Sequence, residues 1–109
     1  MSVYDEIREE RAHQVELGYD AEHDDQHCQG QLCAAAAVYA DAASSLECGI
    51  ESTDVMHNLE YRWPFDDGFR VFSSSRTYML KAAAMLVAEI ERYDRMAENE
   101  PTSSGEGLV

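Results

Sequence analysis

Ser75-Arg-Thr-Tyr-Met-Leu-Lys-Ala-Ala-Ala-Met-Leu-Val-Ala-Glu-Ile-Glu-Arg-Tyr-Asp-Arg-Met96 contains neither glycine nor proline. Its apolar residues Met79, Leu80, Ala83, Leu86, Val87 and Ile90 recur at the spacing of one helix face. The pattern predicts a helix over about residues 75–96, capped by Ser74 or Ser75, with those six residues as its core face. Arg76 and Lys81 stand early in it, where the helix dipole disfavours cations and where an anion is readily gripped. Glu91 and Arg95, four apart, are expected to pair on the surface, and Glu89 to turn inward. From Ala97 the chain reads as a flexible, acidic, polar tail over 97–109.

Upstream of this helix, periodicity fails between Glu47 and Ser75, where Gly49, Pro64 and Gly68 punctuate a long connection. One short helix is expected near Asp54 to Leu59. Trp63-Pro64-Phe65, the turn Asp66-Asp67-Gly68, and Phe69 and Phe72 make the rest of the connection aromatic. These rings either plug the end of a helix bundle, or Trp63 or Phe65 stacks on a flat ligand such as a base. Before the connection, Leu32, Ala35, Ala36, Tyr39, Ala40 and Ala43 form a narrow stripe of mostly small residues. A helix over 26–46 follows, capped by Asp24 or Asp25 and buried on more than one side. A further helix over 3–17 starts at a Ser2/Asp5 capping box and stops at Gly18. The expected fold is all-α: a small bundle of three main helices with a long aromatic loop, one domain over 1–96. Burying an alanine-rich helix all round exceeds what so few elements supply, so the bundle is expected to be completed by homo-oligomerisation, with Ala36 or Tyr39 in the interface.

Composition narrows the function. Eight Lys and Arg against 22 Asp and Glu give a net charge of −14 over 109 residues, which repels phosphate backbones and makes nucleic acid an unlikely partner. There is no run of roughly 18 apolar residues and no signal-peptide pattern, so a cytoplasmic protein without a membrane partner is expected. Cys28, Cys33 and Cys48 lack paired spacing and read as reduced thiols.

Chemistry concentrates in Gly18-Tyr19-Asp20-Ala21-Glu22-His23-Asp24-Asp25-Gln26-His27. On a helix His23 and His27 share a face, and Asp24 and Asp25 add hard oxygen ligands, so these four are the candidate set for a divalent metal. The competing reading makes the aspartates helix caps and has the histidines hydrogen-bond backbone around the turn. Arg8, Arg11 and Gln14, at spacings of three, share one face of the first helix. With Trp63, Arg76 and Lys81 they form the candidate ligand-binding set.

Arg8-x-x-Arg11-x-x-Gln14, Gly18-Tyr19-Asp20-x-x-His23-Asp24-Asp25-x-His27, Gly30-x-Leu32-x-x-Ala35-Ala36, Trp63-Pro64-Phe65, Leu80-Lys81-Ala82 and Ala88-Glu89-Ile90-Glu91-Arg92 together resemble a group of small phage and prophage proteins. The resemblance implies a setting in the cytoplasm of an infected bacterial cell. In helical make-up the chain is also similar to the MazG-like all-alpha nucleotide pyrophosphohydrolases. Those present a Glu-Glu-x-x-Glu type motif to magnesium; the helix that should carry it here reads Leu32-Cys33-Ala34-Ala35-Ala36-Ala37. Three functions are weighed on this basis. The leading one is a phage accessory protein that binds and sequesters a host nucleotide or cyclic-nucleotide immune signal, which needs no catalytic set. The second is a metal-dependent nucleotide hydrolase with His23, Asp24, Asp25 and His27 as ligands, Glu89 as base or further ligand, and Arg76 and Lys81 on phosphate. The third is an acidic inhibitor of a host or defence protein.

Overall fold

Capping chemistry sets where the first helix begins and ends. Ser2 accepts from the Asp5 amide at 3.2 Å while the Asp5 carboxylate accepts from the Ser2 amide at 3.2 Å, closing the expected capping box on α1 (Val3–Glu16). At the other end the Gly18 and Tyr19 amides donate back to the Val15 and Gln14 carbonyls, both at 3.0 Å. This pair of bonds needs a left-handed residue, and Gly18, at φ 109°, supplies it.

The computed structural model describes residues 1–66 and 73–99. After α1 come α2 (Ala21–Asp25), α3 (Gln31–Glu47), α4 (Ser52–Leu59), a 3₁₀ turn at Glu60–Arg62, and α5 (Ser75–Asn99). The described residues contain no strand, and the fold is all-α with three main helices, as expected. The central pair is α3 against α5; α1 and α2 pack on α5, and α4 packs on α3. Phe69, Phe72, the Asp67-Gly68 turn and the tail from Glu100 lie outside the described residues.

Several expectations are corrected. The helix expected over 26–46 begins only at Gln31, because residues 26–30 are not helical, and a separate short helix, α2, ends before them at Asp25. Neither Asp24 nor Asp25 is a cap: Asp20 caps α2, accepting from the His23 amide at 2.9 Å, and Gly30 precedes α3. Ser74 is the residue that caps α5, its hydroxyl accepting from the Thr77 amide at 3.2 Å. That helix runs on through Ala97 to Asn99, three residues into the expected tail.

The face of α5 is also rotated from the one expected. Tyr78, Ala82, Ala84, Met85 and Ala88 are buried, whereas Met79, Leu86 and Ile90 are 51%, 45% and 60% exposed. Close packing explains the choice. Alanines on α3 (Ala35, Ala36, Ala42, Ala43) and on α5 (Ala82, Ala88) belong to one core, and small side chains let two helix backbones approach closely. Tyr39, between the two alanine pairs of α3, lies 6.1 Å from the Tyr78 ring and 5.2 Å from the Trp63 ring. Trp63 therefore serves the core, the first of the two roles open to it. Ala36 and Tyr39 are buried within one chain, so an interface built on them is excluded.

The join between α1 and α5 is largely ionic. Glu6 receives both terminal nitrogens of Arg76 at 2.9 and 2.7 Å, and Glu10 receives Lys81 at 3.2 Å. Arg95 of α5 reaches back to Asp25 of α2 at 2.8 Å instead of pairing with Glu91. Glu89 is inward, as expected, but bonded to Arg92 at 2.6 Å.

Two outcomes follow from this packing. Met85→Ala, at a side chain with no exposure, should lower the unfolding free energy by about 2–5 kcal/mol in urea titrations. The hydrogen bond from Arg76 to Glu6, and that from Arg95 to Asp25, hold both carboxyls below their usual range. A lowered folded-state value gives stability that is full above about pH 4.5 and lost as pH falls through the folded value. Arg95→Met should therefore flatten the acid limb of the stability curve measured between pH 5 and pH 2.5 (about the carboxyl range).

Candidate functional site

The Gly18 turn throws Tyr19 inward, where it is buried, and turns the chain straight into α2. On this single helical turn Asp24 has no exposure and both its oxygens are taken: Arg11 Nη2 donates to Oδ2 at 2.8 Å, and His23 Nδ1 donates to Oδ1 at 2.9 Å. Arg11 also donates to the Tyr19 carbonyl at 2.7 Å, so one guanidinium ties α1 to both sides of the turn. A carboxylate only accepts, which puts the proton of neutral His23 on Nδ1 and the lone pair on Nε2. His27 has the same arrangement, its Nδ1 donating to the His23 carbonyl at 2.7 Å.

The two imidazoles stack with centroids 4.2 Å apart and planes 30° apart. Phe65 lies 5.1 Å from His23 and 5.2 Å from His27, and Tyr19 meets His23 edge-on at 5.0 Å. These four rings line a cleft of about 280 Å³, with Leu17 and Gly18 on one side and Asp66 at the rim. It stands just below the usual range of small-molecule sites, about 300–1,000 Å³, which suits one ring system. Its chemistry combines an aromatic wall, two imidazoles whose Nδ1 atoms are committed to Asp24 and the His23 carbonyl, and the Asp66 carboxylate.

Of the four expected metal ligands, the structure brings His23 and His27 together and commits both aspartates to arginines. Asp24 stands behind His23 as its hydrogen-bond partner, and Asp25 turns to Arg95. Among the described residues no group of three or more His, Cys, Asp or Glu is arranged to hold a metal ion, so the four-ligand set is not assembled.

The expected ligand-binding residues do not converge either. Arg8 is exposed and pairs with Asp5 at 3.0 Å; Arg76 and Lys81 are held by Glu6 and Glu10; Trp63 packs on Tyr39 and Phe65. Every Lys and Arg among the described residues has a carboxylate partner. Gln14 is buried and donates to the Lys81 carbonyl at 3.3 Å. Arg8 and Arg11 do line a second, more apolar hollow of about 470 Å³ with Tyr4, Ile7 and Val87. It is larger than the histidine cleft, but its polar lining, Arg8, Arg11 and Glu91, is engaged in ion pairs. Tyr19 is the cleft residue that sequence reasoning missed. Its signal was its place directly after the Gly18 stop, where an apolar residue commonly folds back on the helix.

The hydrogen bonds make two predictions. In nitrogen-15 spectra above the histidine titration, His23 and His27 should both show protonated Nδ1 and bare Nε2, against the usual preference of free imidazole. Asp24→Asn should cost about 3–5 kcal/mol of stability by leaving the Arg11 charge buried without its partner, and Arg11→Met with Asp24→Leu should recover much of that loss.

A scan against protein-family models matches none, and searches of curated proteins and of solved structures also find no match.

Proposed function

We propose that this chain is a binding protein that captures the base of a nucleotide in the cleft formed by Tyr19, His23, His27 and Phe65. The observation that carries the proposal is the stacked histidine pair with both Nε2 atoms left as acceptors. Amino and imino groups of a purine or pyrimidine are donors that such nitrogens accept, and aromatic walls stack on the ring's face or edge. With the likeness to small phage proteins, the setting proposed is sequestration of a host nucleotide immune signal. Capture alone accomplishes this, without a reaction.

The charge pattern shapes how such a ligand is held. With the described cations all paired and a net charge of −14, the base supplies the affinity and the phosphate stays toward solvent. Salt screens the repulsion between phosphate and protein, so affinity should rise with ionic strength, opposite to a site built on free cations.

The test is calorimetry against nucleosides and linear and cyclic nucleotides. Phe65→Ala should weaken binding by about 1–3 kcal/mol, and His23→Ala with His27→Ala should abolish it, whereas Arg76→Ala and Lys81→Ala should leave it unchanged. Absence of binding across the panel would reject this reading in favour of an acidic inhibitor that acts through its surface charge.

One observation supports a second reading. A carboxylate behind a histidine, as Asp24 stands behind His23, also orients imidazoles that bind divalent metals. In the hydrolase reading His23 and His27 hold the metal and Asp24 supports His23. Turnover of nucleoside triphosphates with magnesium or manganese, lost in His23→Ala, would replace capture by hydrolysis.

A further inference from the structure

Along the outer side of α5, Met79, Ala83, Leu86, Ile90, Tyr93 and Ala97 follow one another at steps of four and three. This is the spacing of a helix-to-helix seam. Met79, Leu86, Ile90 and Tyr93 are 51%, 45%, 60% and 59% exposed, although each is large and apolar. The protomer covers the other side of α5 with α3 and α1 and leaves this stripe open.

We infer that the stripe docks a second copy of this chain, antiparallel and two-fold symmetric about Leu86. The order of side chains favours that arrangement. Read against its own reverse, the stripe sets Met79 opposite Tyr93 of the second copy, Ala83 opposite Ile90, and Leu86 on Leu86, so that small residues meet large ones. A parallel copy would place Ala83 on Ala83 and Tyr93 on Tyr93, which leaves a gap at one level and crowding at another.

Charge favours the same direction. Two molecules each carrying −14 repel, and the stripe contains no charged residue. At its flank Arg76 and Asp94 occupy equivalent angular positions near opposite ends of the helix. Antiparallel docking brings Arg76, which pairs with Glu6 but keeps 62% of its side chain exposed, to Asp94 of the second copy, and Asp94 has no ion pair of its own among the described residues. Parallel docking would put Arg76 and Asp94 on opposite sides of the pair, out of reach of one another. A groove of about 420 Å³ beside the stripe, lined by Ala40, Ala43, Ser44 and Glu47 of α3 and by Met79 and Leu86 of α5, widens the contact. Two helix widths of about 10 Å over a length of about 30 Å give roughly 600 Å² per copy and about 1,200 Å² in all, the lower bound of specific interfaces.

Light scattering of the whole chain at about 100 μM should give twice the 12.3 kDa chain mass (a concentration suited to interfaces of this size). Leu86→Glu with Ile90→Glu should return the single-chain mass with the helical circular dichroism unchanged. Asp94→Arg should weaken the dimer about twofold to twentyfold, since it removes two rim pairs. In a chain with its three cysteines changed to serine, Ala83→Cys with Ile90→Cys should cross-link between copies, and Ile90→Cys alone should not. A single-chain mass for the unaltered protein, or a dimer indifferent to both glutamates, would overturn the interface. Efficient cross-linking by Ile90→Cys alone would overturn its antiparallel direction.

Discussion

Arg11 is the side chain on which the arrangement of the site depends. One terminal nitrogen donates to the Tyr19 carbonyl and the other to buried Asp24, while Nε lies 3.7 Å from Glu91 of α5. It joins the first helix, the turn, the short α2 and the long α5 at one point. A single-turn helix has almost no stability of its own. What fixes α2, and with it the histidines, is an ion pair made in a nearly dry place, where breaking one partner is costly. The orientation of His23 follows from the same carboxylate, so the chemistry of the cleft and the packing of the bundle share one interaction.

The acidic excess has a structural use inside the protomer as well as an effect outside it. Glu6, Glu10 and Asp25 bind α5 to the elements around it, and Glu89 closes on Arg92 within α5. Because the cations are so few, these contacts and the pairs of Arg8, Arg11 and Arg62 with Asp5, Asp24 and Asp41 take up every one of them among the described residues. The first reading of Arg76 and Lys81 as an anion grip failed for this reason. Each lies early in α5, as the sequence says, but each faces an acid on α1.

Local features were legible and distant ones were not. The Ser2 capping box, the stop at Gly18 and the cap at Ser74 depend on neighbours within a few residues, and all three are present. The spacing of His23 and His27 likewise placed both rings on one side. The roles of Asp24 and Asp25 depend on Arg11 and Arg95, 13 and 70 residues away, which no spacing rule reaches. The face of α5 was misread because hydrophobicity was weighed by size. The core selects alanine where backbones come close, and the larger residues Met79, Leu86 and Ile90 stand outside. Hence the alanine-rich character of α3, first read as a demand for a second subunit, reflects its tight seat on α5.

The left-handed turn at Gly18 also bears on how this chain can drift in evolution. A methyl group built on Gly18 meets no atom within 4 Å, so the constraint at this position is torsional and not steric. Alanine there would incur about 1–2 kcal/mol from the backbone alone, and Asn or Asp somewhat less, since their side chains hydrogen-bond locally in that conformation. Neutral variation at position 18 is thus open toward the small polar residues and closed to Val, Ile and Thr, whose branching makes a positive φ most unfavourable. A lineage that exchanged Gly18 for Asn would keep the path of the chain into the histidine cleft; one that exchanged it for Val would lose the cleft without touching any residue that lines its aromatic wall.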